Sequence, residues 1–224
     1  MRHVNFKTFL LIAMCMCLLV SSSTGLIGKP NHHLDQTARL SGLAKVWGLL
    51  KYYHPEVATG SIDWDAALAI AIPDVKAAED HESFNTAIEN LIAAAGGIDI
   101  SECTPGTASH PKKHFFRWIN NPRLFSISVR KKLRTLWQNH TPADNFYVKE
   151  HQYLNGVPDF SNEKAYGDEL YPDENHRLLA LFRYYNVIRY FFPHRHIMDV
   201  NWDRTLNRFI PRAMAATNEM EYHK

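Results

Sequence analysis

Arg39-Leu40-Ser41-Gly42-Leu43-Ala44-Lys45-Val46-Trp47-Gly48-Leu49-Leu50-Lys51-Tyr52-Tyr53-His54-Pro55 returns, altered, as Arg177-Leu178-Leu179-Ala180-Leu181-Phe182-Arg183-Tyr184-Tyr185-Asn186-Val187-Ile188-Arg189-Tyr190-Phe191-Phe192-Pro193. Laying residue 39 over residue 177 aligns the chain with itself, without a gap, for 48 positions, so that 39–86 covers 177–224. Beyond the prolines, Trp64-Asp65 matches Trp202-Asp203, Leu68 matches Leu206, Ile72-Pro73 matches Ile210-Pro211, and Ala77-Ala78 matches Ala215-Ala216. A constant offset held across an intervening loop is the mark of an internal repeat. The two segments are expected to share one local fold.

Each copy reads as two helices with a bend between them. Leu40, Leu43, Ala44, Trp47 and Leu50 recur at three-and-four spacing from about Asp35 to Tyr53, and Leu178, Leu181, Phe182, Tyr185, Ile188 and Phe192 do the same. Pro55 and Pro193 end these helices, because proline clashes with the preceding turn and disfavours helical geometry in the residue before it. Asp35, Asp63 and Asn201 are candidate N-caps, each a short side-chain acceptor before a helical run. Pro73 and Pro211 are expected to end the second helix early or kink it. Trp64 and Trp202 are expected to wedge between the helices of their own copy.

A third helix is expected from about Glu82 to Ala95, with Phe84, Ile88, Leu91 and Ile92 as its apolar face and Gly96-Gly97 as its stop. The second copy holds only Asn218 to Lys224 of its counterpart, with Tyr222 in the place of Phe84. The fold class that follows is all-α, a helical bundle of two copies of a two-to-three-helix unit (about 37–95 and 175–224), the second incomplete at its C-terminal side. Between them Cys103 to Pro111 reads as a loop, and His114 to Ile119 as a short strand or helical turn. Pro122 is expected to open a helix carrying Phe125, Val129, Leu133, Leu136 and Trp137. Residues 141–171 read as extended chain pinned by Phe146, Tyr147, Val148, Phe160 and Tyr166.

The first residues set the compartment. Arg2 and Lys7 precede the apolar run Phe9 to Val20, and Ser21-Ser22-Ser23-Thr24-Gly25 follows it, which is the layout of a secretory signal peptide over residues 1–24. The run is too short for a stable membrane span. Met14 and Met16, standing before Cys15 and Cys17, do not suit a lipid anchor. Residues 25–224 are then the helical region of an exported protein, in the periplasm or cell envelope, or secreted. Its one remaining cysteine, Cys103, leaves no internal disulfide, so stability rests on packing.

The formal net charge is +2, and export argues against a nucleic-acid partner. Lys112, Lys113, Arg117, Arg123, Arg130, Lys131, Lys132 and Arg134 nonetheless fall in a stretch without an acid. It suits an anionic surface or acidic partner domain, or else a solvated helix face.

No catalytic residue, cofactor site or metal site is assigned. The closest serine–lysine cluster, Ser126 and Ser128 with Lys131 and Lys132, lies in or beside an amphipathic helix and lacks the strand-turn-helix elbow that presents an activated serine. Among the 13 histidines, His32-His33, His110 with His114, and His194 with His196 do not supply the three or four converging ligands that zinc needs. Asp63-Trp64-Asp65 and Asn201-Trp202-Asp203 read as helix starts, where a carboxylate is favoured by free amides and the helix dipole; Arg183, Arg189, Arg204, Arg208 and Arg212 are expected to meet acids of neighbouring helices or of a missing domain.

These residues resemble the helical opening of exported peptidases related to the C-terminal processing, or tail-specific, serine proteases (the S41 class). Arg39 to Pro55 with Trp64-Asp65 carries the likeness, as do Trp118-Ile119-Asn120, Leu124-Phe125-Ser126, Asn145-Phe146-Tyr147-Val148 and Phe160 to Tyr166. Most specific is Arg177 to Ile188, continued by Tyr190-Phe191-Phe192-Pro193 and Asn201-Trp202-Asp203. The resemblance implies that a PDZ-like module and a protease domain with a serine nucleophile and lysine base follow this region in a complete protein, and that polypeptide is the substrate. It transfers no catalytic residue to this chain, and it implies an inactive fragment when the region stands alone. The alternative is a free-standing exported helical module that binds a peptide or protein.

Overall fold

In a computed structural model the described residues are 34–99, 113–139, 144–154, 156–167 and 170–223. The signal segment 1–24, the Cys103–Pro111 loop, His32-His33 and His110 lie outside them. Among the described residues the fold is all-helical, with eight α-helices and one two-stranded ladder.

Helix α1 (Gln36–Tyr53) is the centre of the bundle. Leu40, Leu43, Val46, Trp47, Leu49 and Leu50 point around its whole circumference and all are fully buried. A helix that is apolar on every side must be surrounded. Its neighbours are α2 (Pro55–Ala58), α3 (Trp64–Ala77), α4 (His81–Ala94), α5 (Ile127–Asn139), α6 (Glu174–Phe191) and α7 (Thr205–Ala215). A last short helix, α8, covers Glu219–Tyr222.

Bonds in the first helix pair recur 138 residues later in the second. The Arg39 guanidinium donates to the carbonyls of Leu34, Val75 and Lys76; Arg177 donates to those of Pro172, Ala213 and Met214. Each arginine thereby ties the start of one helix to the free carbonyls at the end of its partner, where the helix dipole is negative. The Trp64 indole donates to the Trp47 carbonyl at 3.1 Å and the Trp202 indole to the Tyr185 carbonyl at 3.0 Å. Trp202 also stacks on Tyr185, with ring centroids 5.8 Å apart.

Where α1 and α6 cross, Gly48 faces Asn186. The Asn186 carboxamide donates to the Ala44 and Phe182 carbonyls, both at 2.9 Å, and a Cβ at Gly48 would overlap it. Only a glycine allows that approach. Tyr52 and Tyr190 meet edge to face nearby, centroids 5.5 Å apart.

Several expectations need correction. Pro73 and Pro211 lie inside α3 and α7, which run on to Ala77 and Ala215. Each proline is exposed, and so are Ala69 and Asn207 one turn before, whose carbonyls lose the amide. Water can serve those carbonyls, which makes the interruption tolerable. Asp35 precedes α1 but makes no side-chain cap. The helix expected at Pro122 starts at Ile127; residues 121–125 are a turn, and the Ser126 hydroxyl accepts from the Val129 amide at 3.2 Å. Of the two alternatives for His114 to Ile119, the helical one holds: the segment lies in a 3-10 helix, Lys113–Asn120.

Other local signals hold. The Asp63 carboxylate accepts from the Ala66 amide at 2.9 Å, and Asn201 caps the 3-10 turn Trp202–Arg204 that leads into α7. Asp80 and Ser83 form a reciprocal capping box at α4. Gly96 and Gly97, at φ of 101° and 80°, end α4 in the left-handed region that favours glycine. The joining segment contains the ladder β1 (Lys149–Glu150) and β2 (Pro158–Asp159). It is pinned by the Phe146 amide on the Ala58 carbonyl at 2.8 Å and the Tyr147 hydroxyl on the Ile62 carbonyl at 3.1 Å.

Candidate functional site: a buried ionic cluster and an open groove

Lys51 interrupts the apolar surface of α1 and is fully buried. A lone buried ammonium is costly, so it needs partners. It finds Glu163 at 2.7 Å and Asp65 at 3.7 Å. The Arg183 guanidinium binds both of the same carboxylates, and the Tyr166 hydroxyl donates to Asp65 at 3.2 Å. Two cations and two anions thus close on one another and join α1, α3, α6 and the segment around residue 163. Lys51 also lies 4.3 Å from the Tyr147 ring centre.

Burial lowers the Lys51 ammonium from its usual range, while Glu163 and Asp65 pull it back up. Tyr147 is pushed up to about 12, first by burial and then by Asp65 and Glu163. Both effects favour fewer charges inside the cluster.

A related arrangement lies across the bundle. Arg189, buried, binds Asp203, and the Tyr185 hydroxyl donates to Asp203 at 3.1 Å. Burial would raise the Asp203 carboxyl, but Arg189 and Lys45 outweigh it and hold the group below the usual carboxylate range. Lys45 itself is lowered to about 8 by burial and by Arg189, with Asp203 opposing.

The cleft beside the first cluster holds only about 200 Å³ and is lined by Asp63, Lys164, Tyr166 and His176 among others. It suits water better than a peptide. A wider cleft of about 740 Å³ gathers His54, Glu56, Asp99 and Asp144 where α1, α4 and α5 end.

A larger opening, about 1080 Å³, runs along α6 and α7 to α8. Ala180, Leu181, Tyr184, Phe209 and Tyr222 line it. Tyr184 is 61% exposed and Phe209 37%, whereas the matching residues of the first helix pair, Val46 and Ala71, are 0% and 5% exposed. Arg208 and Arg212 lie over the Phe209 ring at 5.7 and 5.4 Å.

The residues weighed for serine chemistry take structural contacts. Ser126 caps α5, Ser128 donates to Glu89 at 2.8 Å, and Lys132 pairs with the same glutamate. Within the basic stretch, Arg134 bonds Asn120 at 2.8 Å, while Arg117, Arg123 and Lys131 are exposed. Among the described residues no group of three His, Cys, Asp or Glu side chains could hold a metal ion. None of their helices is long and apolar enough to cross a membrane.

Arg183 and Arg189 meet acids of neighbouring elements as expected, but sequence reasoning read Asp65 and Asp203 only as parts of helix starts and did not name them as the partners. The available signal was a charged residue, Lys51, in a stripe otherwise fit for the core. No family model, no curated protein and no solved structure matches the chain.

Proposed function

We propose that this chain is a non-catalytic helical region of an exported serine peptidase of the S41 type, and that it forms a rigid support with a docking groove. Peptide-bond hydrolysis belongs to a Ser/Lys protease domain that follows a PDZ-like, peptide-binding module further along the complete protein. In this reading the region arose by duplication of one helical unit, 39–86 over 177–224. The paired Arg39/Arg177 and Trp64/Trp202 bonds support that origin, as does the shared offset of both ends of α1 and α6 and of the C-terminal ends of α3 and α7.

The observation that carries the functional reading is the open groove on α6 and α7. Most of the cationic and anionic side chains of the interior are spent on one another, which suits a scaffold; the exposed aromatics Tyr184 and Phe209 mark the face where something docks. The same groove also suits the second reading, a free-standing exported binder of a peptide or protein. The deciding test is to read the source reading frame past Lys224 and weigh the intact natural product. A continuation of several hundred residues containing a serine and lysine pair is expected. A stop at that point would overturn the peptidase reading and leave the binder.

A further inference from the structure

The groove has a filled counterpart in the same molecule. In the first helix pair α4 lies on α1 and α3, and its Phe84 sits so close to Gly42 that a Cβ there would be 3.1 Å from the ring. Phe84, Ile88, Leu91 and Ile92 are all buried by this packing. In the second pair the position of Gly42 is held by Ala180 and that of Phe84 by Tyr222, and both line the groove. Asn218 caps α8 through the Glu221 amide as Asp80 caps α4 through the Ser83 amide. The first turn of an α4-like helix is therefore in place, and the groove extends beyond it.

We infer that the groove is a helix seat: it takes an amphipathic helix in line with α8, placed on α6 and α7 as α4 is placed on α1 and α3. Its apolar face carries aromatic or aliphatic side chains at the positions of Phe84, Ile88, Leu91 and Ile92, the spacing of one helical stripe. Its polar edge carries carboxylates, because Arg212 lines the groove beside Phe209. Glu219 and Glu221 of α8 begin that pattern. This inference rests on the docking reading of the groove, but it is tested on the chain itself and independently of what the reading frame contains.

The test appends the sequence Ala87-Ile88-Glu89-Asn90-Leu91-Ile92-Ala93-Ala94-Ala95-Gly96-Gly97 directly after Lys224 of the full chain, in register with α4. Thermal unfolding is followed by circular dichroism. The extension should raise Tm by at least about 4 °C, the shift that one to two kcal/mol gives a chain of this size. Replacing the appended Ile88 and Leu91 by Asp should abolish the gain. Phe209→Asp and Tyr184→Asp should do the same, each gain being measured against the Tm of the same variant without the extension. An unchanged Tm on extension would overturn the inference, as would a gain that survives the Asp replacements in the appended helix. That second control holds even if the groove variants fold poorly.

Discussion

Gly48→Ala is the sharpest perturbation that the bundle offers. Alanine is intrinsically the better helix former by about 0.8–1 kcal/mol, so on an isolated helix the change would stabilise. Here the new methyl overlaps the Asn186 side chain. Forcing the two helices apart costs about 1–3 kcal/mol, as other overpacked cores show. Displacing the carboxamide forfeits its bonds to the Ala44 and Phe182 carbonyls, at about 0.5–1.5 kcal/mol each. The net expectation is a loss of about 3 kcal/mol, or a Tm fall of about 6–12 °C. Urea unfolding of the wild type, Gly48→Ala, Asn186→Gly and the double variant measures the coupling directly. With Asn186 reduced to glycine the clash is gone, so Gly48→Ala should become neutral or stabilising by up to about 1 kcal/mol, and the cycle should show a coupling of about 3–4 kcal/mol. Equal penalties for Gly48→Ala in both backgrounds would refute the close approach of α1 and α6 at this point.

Asp65→Asn leaves buried Lys51 with Glu163 alone and deprives Arg183 of one partner; a loss of about 3 kcal/mol in urea unfolding is expected. Glu174→Gln, which breaks the half-exposed pair with Lys76, should cost under about 1 kcal/mol, and equal losses at the two sites would argue against a buried cluster. Stability should also follow pH. The folded Lys45 loses its proton at about 8 rather than 10.5, so the unfolded chain binds more protons between those values and stability rises with pH there. Tyr53 and Tyr147 hold their protons up to about 12 instead of 10.0, so above pH 10 the unfolded chain ionises first and stability falls. A maximum on the alkaline side of pH 8 is expected, with a smaller rise in Lys45→Met; identical profiles for the two proteins would contradict the burial of Lys45.

The helices were legible wherever the cause was local. The stripe from Leu40 to Leu50 and the stop at Pro55 place α1 within a residue of its observed span, and Gly96-Gly97 ends α4 as expected. Of the two outcomes expected at Pro73 and Pro211, the early end does not occur in α3 and α7, because proline's penalty depends on whether the orphaned carbonyl meets water. The start of α5 was misplaced for a related reason: Pro122 fits the first position of a helix, but Ser126 supplies the cap and its amide goes to Asn85 at 2.7 Å. The ionic cluster was illegible because its members, Lys51, Asp65, Glu163 and Arg183, lie far apart along the chain. Asn186 opposite Gly48 reads in the alignment as an ordinary mismatch. In space it is one side chain serving two helices.

That shared carboxamide has a mechanical consequence. A slide of α6 by one residue along α1, or a roll about its own axis, would carry Asn186 out of the glycine notch and break its bond to the Ala44 carbonyl, the one that crosses between the two helices. The crossing therefore behaves as a spline, not a bearing. Force applied to the face bearing Tyr184 and Phe209 passes through α6 into the rest of the bundle without play, and whatever is held on that face keeps a fixed bearing to α1.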